Sequence, residues 1–227
     1  FRNGLAANRF RHARSLTTAK TQTVTQPNND TLYSSAWLDL SARPVRIALP
    51  SSGERYLSLA LMDMFTNNFA VLRGGSAREV VVIGPGSPEI PGAIRAPTAW
   101  VWALARTLVA GPEDLPAAHA VQDGLRIESP AGRAPIMVPP RSAPWPKVFA
   151  AIQALLSDTP PPAADAPLLA ATAALGVAPG KPFDPARFSA AEGAEIASGL
   201  AEALAIARQG DEAGPRLDGW LYPKAAL

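Results

Sequence analysis

The chain has no cysteine, and that absence removes disulfides, thiolate zinc sites, iron–sulfur clusters and cysteine nucleophiles. It has only two histidines, His12 and His119. A three-histidine metal centre is therefore excluded, and a serine–histidine–aspartate triad is a poor fit. Charge of one sign is also scarce. Twenty-one Lys and Arg against 19 Asp and Glu leave +2, too little for the field of a nucleic-acid-binding surface. No run approaches the ~20 apolar residues of a membrane span. What is present describes a folded chain. The 227 residues are 48% hydrophobic and 18% charged, which suits one large domain or two small ones. Twenty-four prolines, about twice the usual share, exclude an all-helical bundle.

Residues 1–24 form a basic lead-in, with Arg2, Arg9, Arg11, Arg14 and Lys20 and no acid up to residue 20. The expectation is a solvated segment with a helix ending near Ser15. From residue 25 to 140 the pattern is that of strands. Leu32, Ser34, Ala36, Leu38 and Leu40 alternate with Tyr33, Ser35, Trp37 and Asp39. Val45, Ile47 and Leu49 form a second stripe, and Leu57, Leu59 and Leu61 a third that continues to Asp63. Short runs follow at Phe69–Leu72, Val80–Ile83 and Leu125–Ile127. Trp100, Trp102, Leu104, Arg106 and Leu108 share one face of a longer strand. Short strands at such spacing predict an antiparallel β-sandwich of the immunoglobulin-like kind. Asp114-Leu115-Pro116 starts one short helix.

After Pro139-Pro140 the apolar period changes to 3.6, so residues 141–227 are expected to be a helical segment packed on the sandwich. Val148, Ile152, Leu155 and Leu156 make one stripe. Leu168, Leu169 and Leu175 make a second, stopped by Gly176. Ser189-Ala190-Ala191-Glu192 is a capping box opening a third, with Ile196, Leu200 and Leu204 along one side and Gly210 at its end. This part is acidic, with nine Asp and Glu against five Lys and Arg over residues 151–227. The fold class is α+β.

Two polar clusters stand out. Gln26-Pro27-Asn28-Asn29-Asp30-Thr31-Leu32-Tyr33 precedes the first long strand, and Asp63-Met64-Phe65-Thr66-Asn67-Asn68-Phe69 ends the leucine-striped one. Asn and Asp mimic backbone turns, and they also line ligand pockets. Asp63 follows the parity of buried leucines, and Arg106 that of Trp100, Trp102 and Leu104. An unpaired buried charge is costly, so the two are expected to be buried together, with Asp39 or Asp123 as substitute partners for Arg106. Trp100-x-Trp102 reads as sandwich core or as an aromatic platform for a flat ligand. Gly74-Gly75 and Gly84-Pro85-Gly86 read as turns. No EF-hand spacing is present, and no metal or cofactor is expected.

At these residues the sequence resembles a bacterial family, domain of unknown function 1254. The stretch from Asn28 to Leu40 carries the resemblance, as do Asp63–Phe69, Arg106-Thr107-Leu108-Val109, Gln122-Asp123-Gly124 and Leu175–Asp184. The resemblance implies an immunoglobulin-type β-sandwich followed by helices, and a periplasmic or cell-envelope location, since members commonly carry export signals. It also implies a second, jelly-roll domain (domain of unknown function 1214) towards which residues 141–227 lead. It implies no activity and no catalytic residue.

The functional expectation is a non-catalytic envelope protein that binds a small polar ligand or a partner domain. Asn28, Asn29, Asp30, Thr31, Tyr33, Asp63, Thr66, Asn67, Asn68 and Arg106 are the binding candidates, both clusters lining one end of the sandwich. One alternative is a hydrolase or lyase with Asp30 or Asp63 as general base and Arg106 as electrostatic stabiliser. Another is a purely structural module. Oligomeric state leaves no trace in the sequence.

Overall fold

The period-two stripes of the first half become strands, and the 3.6-period stripes of the second half become helices. The computed structural model describes residues 6–18, 28–134, 136–140, 142–209, 216–217 and 220–221. They fall into two compact units, Phe1–Pro135 and Ile136–Leu227. The chain is a mixed α+β protein with two main sheets and, among the described residues, four α-helices.

The first unit holds β1 (Arg11–His12), β2 (Thr31–Asp39), β3 (Val45–Leu49), β4 (Leu57–Met62), β5 (Asn68–Arg73), β6 (Arg78–Ile83), β7 (Ile94–Arg95), β8 (Trp100–Leu108), α1 (Leu115–Gly124) and β9 (Arg126–Ile127). One sheet has the order β1-β2-β8-β4-β5 and the other β7-β6-β3-β9. Ala36 and Leu38 of β2, Leu59 and Leu61 of β4, and Val101, Ala103 and Ala105 of β8 share one core with Val45, Ile47, Leu49, Val80 and Val82 of the second sheet. Fully burying each large aliphatic side chain contributes about 1.5–3 kcal/mol, so this shared layer holds the unit together.

Three expectations need correction. First, the body is not wholly antiparallel, because β7 pairs with β6 in parallel. Arg95 fixes that two-residue strand by donating to the carbonyls of Gly84, Pro85 and Ser87, a tie that leaves no trace in periodicity. Second, the described part of the basic lead-in holds no helix. Arg11–His12 pairs with Ser34 and Ser35 of β2, and Arg9 donates to the Ser129 carbonyl at 2.8 Å. Third, the face of β8 that carries Trp102, Leu104 and Arg106 is turned away from the core. Val101, Ala103 and Ala105, each 0% exposed, face the second sheet instead. Register explains the choice: Ala103 lies between Ala36 and Leu61, and Ala105 between Ser34 and Leu59. Leu61 and Leu59 of β4 fill the layer on one side of these alanines, with the small Ala36 and Ser34 of β2 on the other.

In the second unit, α2 (Trp145–Asp158), α3 (Ala166–Thr172) and α4 (Ala190–Gln209) precede a small hairpin, β10 (Arg216–Leu217) with β11 (Trp220–Leu221). Gly176, at φ +72°, takes the left-handed conformation that stops the segment after α3. The capping box forms as expected: Glu192 Oε2 accepts from the Ser189 amide and hydroxyl, each at 2.8 Å, and the Glu192 amide donates back to Ser189 Oγ at 3.3 Å. The expected stop at Gly210 lies outside the described residues. Trp145 makes edge contacts with Phe149, Phe183 and Phe188. Gln153, 3% exposed, receives the Ala178 amide at 2.7 Å and donates to the Ala178 carbonyl, seating the 176–184 loop on α2.

Candidate ligand-binding face

Strand direction decides which candidates meet. Both β2 and β4 run antiparallel to β8, so their starts lie at the same end of the sheet. Thr31 pairs with Leu108, whereas Met62 pairs with Trp102. Six residues of β8 separate these rows, about 20 Å at strand spacing. The Asn28–Tyr33 and Asp63–Asn68 clusters therefore lie at opposite ends of the sheet, not on one rim.

At the far end, Asp63 is buried at 6% exposure, as its parity requires. Its partners are local. Asp63 Oδ1 accepts from the amides of Phe65 and Asn67, both at 2.9 Å, and Oδ2 from Asn67 Nδ2 at 3.1 Å. The turn it closes includes Thr66 at φ +65° and ends in a register slip between Leu61 and Met62. Thr66, Asn67 and Asn68 are exposed.

The expected burial of Arg106 against a carboxylate does not occur. Arg106 is exposed, opposite Tyr33 in the register, with its guanidinium 5.8 Å from the centre of that ring. No described carboxylate pairs with it. The substitute partners are engaged elsewhere. Asp39 accepts from Arg133 and Ser41, and Asp123 pairs with Arg14. Burial works against ionisation of Asp39, but its hydrogen bonds from Ser41 and Arg133 outweigh it and hold the carboxyl below its ordinary value. The hydrogen bond from Arg14 likewise depresses Asp123.

Around Arg106 the strand ends form a polar rim. Asn28 Oδ1 accepts the Asp30 amide at 2.9 Å, and the Asn28 carbonyl accepts from Thr17 Oγ1 at 2.6 Å. The side chains of Asn28, Asn29 and Asp30 are exposed and Tyr33 is half-buried. Thr31 is buried, and its hydroxyl has no partner among the described residues. Arg55, missed in the sequence, grips Asp114 with two 2.6 Å hydrogen bonds and reaches the Leu108 carbonyl. The Arg55 guanidinium holds Asp114 well below the usual carboxylate range. Trp102 stacks on Trp37 at 6.1 Å and donates to Ser35 Oγ at 2.9 Å, so these rings line the outer face rather than the core. Trp100 is buried on that face beneath the Arg133 guanidinium, 5.1 Å from its ring centre.

Beyond the ladder, His12 Nδ1 lies 2.8 Å from Ser34 Oγ, and buried Gln122 donates to the same oxygen and to the Ala13 carbonyl. Burial and nearby Arg14 push the His12 pKa down against the pull of Asp123. Among the described residues no three of His, Asp and Glu gather where a metal ion would be held. No described helix is long and apolar enough to cross a membrane.

The class this defines is a two-sheet β-rich body in which exposed Arg106 stands over half-buried Tyr33, on the strand that follows an asparagine-rich turn, with helices following in sequence. Residues 7–129 match the family profile described as "Protein of unknown function (DUF1254)". The chain belongs to that family. No protein of curated function matches it. Its fold resembles the crystal structure of the VPA0106 protein from Vibrio parahaemolyticus, with a TM-score of 0.60 and 22% identity over 92% of this chain and 53% of that one. This chain thus spans about half the length of the Vibrio protein. An uncharacterized protein from Burkholderia cenocepacia aligns at a TM-score of 0.34 and 16% identity, over 46% of this chain and 31% of that one.

Proposed function

We propose that this is a non-catalytic protein of the bacterial cell envelope, an immunoglobulin-like sandwich that binds a small polar ligand at the rim marked by Arg106. The observation that carries the reading is the state of Arg106: exposed, 5.8 Å from the Tyr33 ring centre and without a described carboxylate partner, on the strand paired with the one that follows the exposed Asn28-Asn29-Asp30 turn. A guanidinium that no described carboxylate engages keeps its N–H groups available to a ligand. The envelope location follows from the family resemblance. The non-catalytic reading is supported by the state of Asp63, whose oxygens are taken up by main-chain and Asn67 donors some 16 Å along β4 from the Arg106 row.

A second reading, docking of a jelly-roll domain, is favoured by the half-buried Trp37–Trp102 stack and by Val71, 60% exposed, on the same sheet face. Thermal-shift and calorimetric titration of the purified chain with citrate, inorganic phosphate and N-acetylglucosamine tests the first reading. One of these solutes should bind the parent chain and fail on Arg106→Met. Binding that survives this substitution overturns the assignment. Loss of affinity for a separately expressed jelly-roll domain on Trp102→Ala, with solute binding intact, favours the second. Turnover of a bound solute that Asp30→Asn abolishes would instead establish an enzyme.

A further inference from the structure

We infer that Ser58 and Arg73 complete the Arg106 site, and that the group they take is an oxyanion, a carboxylate or a phosphate, held between two guanidinium groups. This rests on the binding role proposed for Arg106. Tyr33 lies opposite Arg106, Arg106 opposite Ser58, and Ser58 opposite Arg73. The four residues make one row across β2, β8, β4 and β5. The row faces away from the core, because Leu57 and Leu59 on either side of Ser58 point into it. Neighbouring strands lie about 4.8 Å apart, which sets the two arginine Cα atoms about 10 Å apart with Ser58 between them. Two arginine side chains at that spacing have the reach to converge on one anion.

Both arginines are held in the same way. Arg106 stands over Tyr33 at 5.8 Å and Arg73 over Tyr56 at 5.7 Å. Both are exposed, and neither forms an ion pair or donates a hydrogen bond to a described residue. Arg14, Arg46, Arg55, Arg95 and Arg133 contrast with them, each facing a carboxylate. The second observation is Ser58. The residue is 5% exposed, its hydroxyl forms no hydrogen bond among the described residues, and its oxygen is not one of the fully buried polar atoms, so it is open to a ligand on the outer face. A bound oxyanion accepts from that hydroxyl, takes planar N–H pairs from the two guanidiniums, and relieves the repulsion between two like charges. Neutral sugars and amines offer the row no such match.

The test is calorimetric titration of the full chain at low ionic strength with inorganic phosphate and citrate as separate probes. It is run on the parent, Arg106→Met, Arg73→Met, Arg73→Lys and Ser58→Ala, with urea midpoints confirming that each is folded. The parent should bind at least one probe, more weakly as salt is added. Arg73→Met should weaken binding about tenfold or more and Ser58→Ala severalfold, while Arg73→Lys recovers only part of the loss because the fork is gone. Phosphate alone binding marks a phosphate ester as the ligand class, and citrate alone a carboxylate. If Arg106→Met abolishes binding while Arg73→Met and Ser58→Ala stay within about twofold, this inference falls and the Arg106 reading stands. If all variants bind like the parent, both fall. A parent that binds neither probe overturns the oxyanion assignment, leaving the neutral-solute arm to decide the wider reading.

Discussion

Replacing Asp39 by alanine should cost about 3 kcal/mol. The reason is what the carboxylate holds rather than its ion pair. Asp39 is 5% exposed and accepts from the Ser41 amide at 3.1 Å, the Ser41 hydroxyl at 2.6 Å, the Arg133 amide at 2.7 Å and Arg133 Nε at 3.2 Å. The arginine side chain is 45% exposed, so on losing its partner it turns to water at little cost. The two main-chain amides have less freedom. Each donates a part-buried hydrogen bond to a charged acceptor, worth about 1.5–3 kcal/mol net, and two at the low end set the expected loss near 3. For a domain of this size that is a fall in Tm of about 6–12 °C.

Urea denaturation followed by tryptophan fluorescence measures it, with the m-value unchanged. Arg133→Ala should cost under about 1 kcal/mol. The folded carboxyl titrates below its ordinary value, so its contribution is complete above about pH 4 and is lost as the pH falls through the folded pKa. The parent should therefore lose stability more steeply in acid than Asp39→Ala. An Asp39→Ala loss below about 1 kcal/mol, or an equal loss in Arg133→Ala, would refute the reasoning.

Gly132→Ala should destabilise the same corner by about 1–3 kcal/mol, because a Cβ there would lie 2.6 Å from Asp39 Cβ and 2.9 Å from Ala7 Cβ; a neutral result in urea would show that the segment yields. Gln153→Ala strips the Ala178 amide and carbonyl of their partner and should cost about 2 kcal/mol, read by thermal melting of far-ultraviolet circular dichroism. Ser189→Ala removes the capping hydroxyl of α4 and should cost about 1 kcal/mol, with Ser189→Asp recovering most of it.

Legibility followed the physics of each signal. Alternation placed Leu32 through Leu40, the β3 stripe and the β4 leucines correctly, since a strand buried on one face must alternate. It misplaced Trp102 and Arg106 because bulk is a poor guide to direction. In β8 the larger side chains cover the outer face, and the alanines lie inward beside Leu59 and Leu61 of β4. Parity put Asp63 inward correctly, but it does not tell whether the chain's own amides will meet the carboxylate four residues later. The shared rim for the two asparagine clusters failed for a topological reason. Only the strand order β2-β8-β4 sets their ends apart, and no local pattern encodes that order. Arg73 and Ser58 went unseen because cross-strand pairing across three strands, β8, β4 and β5, is what places them in one row with Arg106.

Most stretches that carry the family resemblance have a packing task. Gln122 is buried against β2, Gly124 lies so close to Pro50 that a Cβ would come within 2.7 Å, Asp39 ties down Arg133, and Asp63 closes a turn. Arg106 has no such task. Its contact with Tyr33 is exposed, a geometry worth about 0.5–1 kcal/mol, and methionine retains much of the side-chain stem over the ring. Arg106→Met should therefore lower stability by less than about 1 kcal/mol, well under the Asp39→Ala loss in the same urea assay. That separation is what makes the residue informative. A stability cost of about 3 kcal/mol or more would mean that the arginine holds the sheet together, and any binding lost with it would then reflect unfolding. A small cost with lost binding assigns Arg106 to the ligand.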